Sequence, residues 1–568
     1  MLKRFRLPFV AVTALVLLLA SCGKTSKQGK LIPKDAVLVF HINGESLNSK
    51  LSWDEIKKNE LFNELYADST LPPFIKSLLD DPENSGIDTK TDIIGFGTKD
   101  SLGGYVAIEG TVKDAAKFDK FNTFVTKGGS SMEKDGMNFI SKAPMCVGWN
   151  KERFLYIIDM AEFGNMSYRS HNSDADRKPR DVGATCRAVF ELKEENSLAK
   201  DEKFASLMSD KADMHFWFNT NALMNGNDMM GIMSMTKISD LYKDAVSTGS
   251  VNFENGKINI DFKNYAGKET AELFSKYQGG EINTDMFKRF AGKDIAGAFA
   301  INFKPEVIRE ILKRAGADGL ANMGLSKFGI TVDDFVKANK GDIFIAASDV
   351  TLRNDTIRYG TAPTDFYIND KPKAKYIFAV SINDKTSFNN LINAAQKLHN
   401  QMGMDSAAAA KPDAITFNSN DKFFAIGNDK ALVDQYIAGG NNDFDFLKNI
   451  SGNPMGGYVN IQGIMKALGS DHIKDSTSKE EFNTSLKFWQ DIYIRGGKIS
   501  DGGMTQSIEI NLMDKNTNSL KQLNSYFGKM GQLEKARQKD MEDHFRLEDE
   551  KTIAPKADTV VMPQHSRH

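Results

Sequence analysis

The chain reads as an α+β protein of two tandem duplicated domains, each a mainly antiparallel sheet with amphipathic helices packed on one face. Three patterns predict this. Several stretches alternate apolar and polar residues, as in Lys257-Ile258-Asn259-Ile260-Asp261-Phe262, which marks half-buried antiparallel strands. Such strands lead into segments with helical periodicity. The same strand-to-helix units then return in the same order further along the chain.

Four pairs of segments carry the repeat. Val37 to Asn43 corresponds to Gly297 to Asn302, each an apolar strand ending in asparagine. Gly104 to Glu109, followed by a helix bearing Phe118, Phe121 and Phe124, corresponds to Tyr376 to Ile382, followed by a helix bearing Phe388, Leu391 and Ile392. His215 to Asn219 corresponds to Gly457 to Asn460, and Gly256 to Phe262 to Ser507 to Leu512. Asparagine at these exits is turn or cap chemistry, because its side chain accepts from backbone amides ahead of a helix. Paired glycines at 103, 128, 279, 439, 456, 496 and 502 read as turns.

The divisions that follow are a leader over 1–21, a tether over 22–30, repeat domains over 31–281 and 282–531, and a charged, partly disordered tail over 532–568. Each half is long enough to bury its own core. Two insertions break the symmetry: residues 164–183, rich in Ser, Asn, Asp and Arg, and residues 353–375, which read first as a solvated connection with a few packed aromatics and second as an extended hairpin reaching a partner.

The leader carries the sharpest motif. Basic Lys3, Arg4 and Arg6 precede an apolar run from Phe9 to Ala20, and Leu19-Ala20-Ser21-Cys22 has the form of a lipoprotein processing site. The run is shorter than the roughly 20 apolar residues that cross a bilayer. Cys22 is therefore the expected lipidation site, and at about 0.8 kcal/mol per buried methylene several acyl chains on one residue make a stable anchor.

Composition fits a folded, exported body. With 41% hydrophobic residues, 26% charged residues and a net charge of -2, neither disorder nor a polyanionic partner is indicated, and dispersed lysines disfavour nucleic acid. Besides Cys22 the chain holds only Cys146 and Cys186. Both stand in strand-like surroundings, and the alternatives are one disulfide or two buried thiols.

No catalytic, cofactor or metal motif emerges. The eight histidines lack metal-binding spacing, and His41 and His215, on apolar strands, read as core histidines bonded to backbone. Gly95-Phe96-Gly97-Thr98-Lys99 lacks the glycine spacing of a phosphate loop. Met208, Met214, Met224, Met229, Met230, Met233 and Met235 crowd one segment, which reads first as core packing, then as an apolar binding groove, and last as a Cu(I) site.

The processing site, the Ile32-Pro33-Lys34-Asp35-Ala36-Val37 opening and the duplicated units together resemble a Bacteroidetes lipoprotein family, domain of unknown function 4836. That resemblance covers nearly all of the mature chain and brings no activity or site residues with it. It makes the phylum's O-glycosylation pattern relevant, an Asp followed by Ser or Thr and then an apolar residue or Thr, found here at Ser69, Ser101, Thr356, Ser406, Ser476 and Thr559. By resemblance to Gram-negative lipoproteins, Gly23 in place of aspartate favours the outer membrane, and Lys24, Lys27 and Lys30 in place of an acidic stretch favour its periplasmic face.

The expected role is a non-enzymatic scaffold, membrane-held through Cys22, that binds an envelope protein or glycan. The alternatives are an envelope hydrolase whose site assembles only in the fold, and a structural spacer. Replacing Cys22 by alanine should move the protein from the membrane to the soluble fraction on cell fractionation; continued membrane association would show that something other than lipid holds it.

Overall fold

The computed structural model describes residues 29–160, 178–224, 236–360, 362, 364–401 and 415–553. Among them, eighteen strands make one sheet in which every pairing is antiparallel. The first nine are β1 (Leu38–Ile42), β2 (Ile93–Thr98), β3 (Tyr105–Thr111), β4 (Met132–Lys134), β5 (Met137–Lys142), β6 (Met145–Trp149), β7 (Arg153–Asp159), β8 (Met214–Asn219) and β9 (Val246–Glu254). The others are β10 (Lys257–Tyr265), β11 (Ile295–Asn302), β12 (Asn339–Arg358), β13 (Phe366–Ile382), β14 (Thr416–Ser419), β15 (Phe423–Gly427), β16 (Met455–Val459), β17 (Trp489–Ser500) and β18 (Gly503–Leu512).

The pairings run outward from a central seam where β10 meets β18, with Asp261 opposite Ser507. One arm continues β10-β9-β8-β1-β2-β3-β7-β6 and ends in β5 and β4. The other continues β18-β17-β16-β11-β12-β13-β15-β14. The first eight strands of the first arm match the eight of the second in order, β5 and β4 being additional, and each of the four matched sequence pairs occupies the same place in its arm.

The class is α+β, with helices on both faces of the sheet rather than the single face expected. Leu155 and Phe154 are neighbours on β7 and so point to opposite sides. Leu155 packs with Val182, Cys186 and Val189 of the helix Val182–Phe190. Phe154 stacks on Phe118 of the helix Ala115–Val125, ring centroids 5.1 Å apart. Amphipathic helices cannot all share one face here, because both sides of the outer strands are apolar and both must be covered. In the second arm Phe344 is fully buried, with Phe287 edge-on at 4.8 Å and Tyr436 stacked at 5.8 Å.

Asn43, Asn219 and Asn460 each accept a backbone N–H three residues on, capping the helices that follow β1, β8 and β16. Asn302 differs: its side chain accepts from Gly280 N–H and donates to Asp342 at 2.6 Å, tying the exit of β11 to β12. Two glycine pairs expected as turns lie inside strands. Gly456 and Gly457 are in β16, where a Cβ at 457 would stand 2.9 Å from the Phe299 ring, and Gly496 and Gly497 are in β17 at a shift of register. Residues 353–375 belong to the long hairpin of β12 and β13, paired from Thr351–Lys373 to Arg358–Phe366, not to an unpaired connection. Most of the other insertion lies outside the described residues.

The helix Ser519–Ile553 runs across residue 531 without a break, so the start of the expected tail is helical; residues 554–568 lie outside the described residues. This helix belongs to the second arm and fastens to the first. Asn59 donates to the Asn524 carbonyl at 2.5 Å, and Lys521 pairs with Glu55 at 2.5 Å. Gly528 and Gly531 permit the approach, since a Cβ at either would fall within 2.8 Å of Asn59 or Leu61. No helix among the described residues is long and apolar enough to cross a membrane.

Phe344→Ala should cost about 3–5 kcal/mol of unfolding free energy in denaturant titration, since it removes a ring from a closed core. Leu320→Ala, at a side chain 45% exposed, should stay within about 0.5 kcal/mol.

Candidate functional site

The centre of the sheet lies between the two cores, and its faces differ in chemistry. Residues directly opposite across antiparallel strands share a face. On one face His41, His215, Ser250, Asp261, Ser507 and Arg495 form a polar row over six strands, β1, β8, β9, β10, β18 and β17. Beside it lie Thr248, Lys263 and Thr505. The seam part of this face floors a cleft of about 410 Å³, roofed by Lys203, Leu207 and Asp210 from the neighbourhood of the helix Glu202–Met208. Lys203 and Lys263 flank the Tyr265 ring at 5.1 and 5.3 Å, and Arg495 reaches Glu509 at 3.2 Å.

The buried end of the row is a histidine pair. His41 Nδ1 and His215 Nδ1 are 2.8 Å apart, and His41 Nε2 stands 3.5 Å from Asp92. The sequence expectation of two histidines bonded to backbone is thus replaced by a side-chain chain, Asp92 to His41 to His215. Only one of two facing ring nitrogens can carry the shared proton, so the other must accept. Burial, and then repulsion from His41, hold the His215 ring down to about 4, against the pull of Asp210, Asp92 and Asp213. Its Nε2 has no hydrogen-bond partner among the described residues. Ser250 is directly opposite His215, yet no hydrogen bond joins them, so the couple that would activate a hydroxyl nucleophile is not formed.

The opposite face is apolar. Ile42, Met214, Val251, Ile260, Ile508, Ile494, Gly457, Phe299, Ile345, Phe378, Ile426 and Phe417 follow one another, each directly across from the next, over twelve strands. A second row runs Phe253, Ile258, Ile510, Ile492, Val459, Gly297, Ala347 and Tyr376. Helices close the two ends: Phe118 and Phe121 pack over β6 and β7, and Phe388 and Leu391 over Val380 and Phe424. Between them Ile42, Val251 and Ile258 are buried, the other large side chains of the rows are half-buried or exposed, and Ile345 is 46%, Tyr376 43% and Phe378 36% exposed. The apolar stripe of the helix Glu306–Arg314, carrying Val307, Ile308, Ile311 and Leu312, is never fully buried.

A family model described as Domain of unknown function (DUF4836) matches residues 29–366. The chain belongs to this family. The match takes in the whole first arm and β11 and β12 of the second. Two solved structures of TP0453, in crystal forms I and III, are similar at 9% and 11% identity. They cover 43% and 44% of this chain and 81% and 87% of their own, with a TM-score of 0.23 in each case. No curated protein matches the chain.

Other residues singled out in this DUF4836 chain fall as follows. Leu19, Ala20, Ser21 and Cys22, and the acceptors Ser406 and Thr559, lie outside the described residues. Ser69, Ser101, Thr356 and Ser476 are exposed. Ser69 and Ser101 sit in Asx turns whose aspartates, Asp68 and Asp100, accept from the backbone two residues on. Cys146 is on β6 as expected, but Cys186 is on a helix, not a strand. Met208 packs against the core of the first arm and Met214 is on the apolar row, whereas Met229, Met230, Met233 and Met235 lie outside the described residues. Gly95 to Thr98 is strand β2, paired on both sides.

Neither face was visible as a surface in the sequence. The alternation of Ile258, Ile260, Ile508 and Ile510 was, but which strands would stand side by side was not.

An unfolded histidine takes its proton near 6.5, whereas His215 in the fold does so only near 4. Stability from this group is complete above about pH 6.5 and falls as pH drops toward 4, by about 3 kcal/mol at most. Urea unfolding at about pH 7.5 and 4.5 should show that loss, and His215→Gln should flatten it.

Proposed function

We propose that this chain is a lipid-anchored cell-envelope protein, held through Cys22 on the periplasmic side of the outer membrane, that binds another envelope protein without catalysing a reaction. The observation that carries the reading is the half-buried apolar face at the centre of the sheet. Soluble domains rarely leave a contiguous apolar surface of this breadth, and where they do it is commonly a docking site. From β10 to β13 the row crosses six strand spacings, about 29 Å at roughly 4.7–4.9 Å each. A broad, open surface edged by Tyr376, Phe378 and Phe417 suits a protein partner, since aromatic side chains are the usual anchors of such contacts.

The polar cleft on the reverse face supports the non-enzymatic part of the reading. Its charges have both signs, and among the described residues the hydroxyls of Thr248 and Thr505 donate to backbone carbonyls, not to a base of the kind nucleophilic catalysis requires. An envelope glycan would have to use that cleft, because sugars present hydroxyls that an isoleucine row cannot satisfy.

A photo-crosslinking residue at position 345 or 378 of the full lipidated chain should give one discrete adduct in the envelope, and the same residue at 261 in the cleft should not. Ile345→Asp and Phe378→Asp should each weaken recovery of that partner about tenfold or more. Adducts only from position 261 would overturn the assignment of the face, and adducts from neither would overturn the binding reading.

A further inference from the structure

The first arm buries two thiols that are 40 residues apart in sequence (146 to 186) and share one core cluster in the fold. Cys146 is on β6, opposite Ser141 of β5 and Ile157 of β7. Cys186 is on the helix Val182–Phe190, which packs on that face of the sheet. Both are 0% exposed and both are free thiols. Cys186 Sγ stands 3.8 Å from the Leu155 carbonyl oxygen, to which it donates, and the two thiols lie near enough to shift one another's ionisation in opposite directions.

The approach is built into the strand. Gly148 shares the face of Cys146, two residues along β6, and a Cβ there would lie 3.0 Å from Cys186 Sγ. Any larger residue would push the helix away from Cys146. The capping of that helix by Asp181, whose side chain accepts from Ala184 N–H, fixes where its first turns meet the sheet. A strand and a helix thus hold two cysteines in one core cluster, with Cys186 Sγ against the position two residues from Cys146, so a small adjustment of the helix brings the sulfurs to bonding geometry.

We propose that Cys146 and Cys186 close an intramolecular disulfide when this chain folds under oxidising conditions. A thiolate on one cysteine attacks a small disulfide such as oxidised glutathione and releases one glutathione thiolate. The second cysteine, deprotonated, then attacks the mixed disulfide and releases the other. One S–S bond forms in the protein and one breaks in the oxidant, which leaves as two thiols carrying the two protons. Cys146 is suited to be the first nucleophile: its interaction with the neighbouring Cys186 thiol holds it below the ordinary thiol range, while the same interaction and burial push Cys186 up. Because both sulfurs are sealed in the finished core, the bond closes before the helix is fully docked. It then pins that helix to β6.

This inference concerns the first arm alone and does not rest on the partner proposed above. The full chain, unfolded and reduced, is refolded in a glutathione buffer of oxidising poise, denatured without reductant, treated with a maleimide and digested. A peptide linking Cys146 to Cys186, two hydrogens lighter than the sum of its parts, is expected in the great majority of molecules, along with a Tm several degrees above that of the dithiothreitol-treated protein. Maleimide on both cysteines in refolded protein with native circular dichroism would overturn the proposal. Cys146→Ser and Cys186→Ser should each leave the remaining cysteine of the pair outside any protein disulfide, with no redox-dependent Tm. A redox-dependent Tm that persists in either variant would equally count against it.

Discussion

The antiparallel ladder between β10 and β18 ties the two arms into one sheet, and most of what distinguishes the molecule follows from it. Each arm has its own core, with Phe344 and Tyr436 at the centre of one and Leu155, Cys186 and Trp217 in the other. At the seam the strands are shared, and only Tyr265 at the end of β10 packs against the core of the first arm. Two strand faces remain there, and the alternation of β10 and β18 makes one polar and the other apolar, because successive side chains must point to opposite sides. The polar cleft and the isoleucine row are the two sides of the same ladder.

The seam is reinforced away from the strands. The helix Ser519–Ile553 leaves β18 and lies against the first arm, where two glycines let its backbone approach Asn59 and Leu61. Relative motion of the arms would have to break the ladder and this contact together. The cleft therefore has a fixed floor, and the apolar face presents a continuous surface and not two patches on a hinge.

The histidine pair shows how a polar row is accommodated where the sheet passes into a core. His41 and His215 satisfy one another at 2.8 Å, and Asp92 takes the outer nitrogen of His41, so the only ring atom left without a partner among the described residues is Nε2 of His215. Burying an imidazole disfavours its charged form, which is why the deeper of the two rings resists protonation. Nothing local in Phe40-His41-Ile42 or Met214-His215-Phe216 marks the pair, since the contact exists only once β1 lies beside β8.

The sequence by itself determined the α+β class, the family resemblance, the duplicated order of strands and helices, and the caps at Asn43, Asn219 and Asn460. Each of these is written in side-chain periodicity or in residues a few positions apart. It misplaced what depends on distant neighbours. Cys186 sits on a helix although its immediate surroundings look strand-like, residues 353–375 are paired because β12 and β13 template one another, and Gly457 is a strand residue because the Phe299 ring occupies the space of its side chain. Only the tertiary structure decided that β10 lies against β18, that helices cover both faces, and that Cys146 meets Cys186. Register between strands is fixed by packing across the whole sheet, and a one-residue slip would have exchanged the polar and apolar faces.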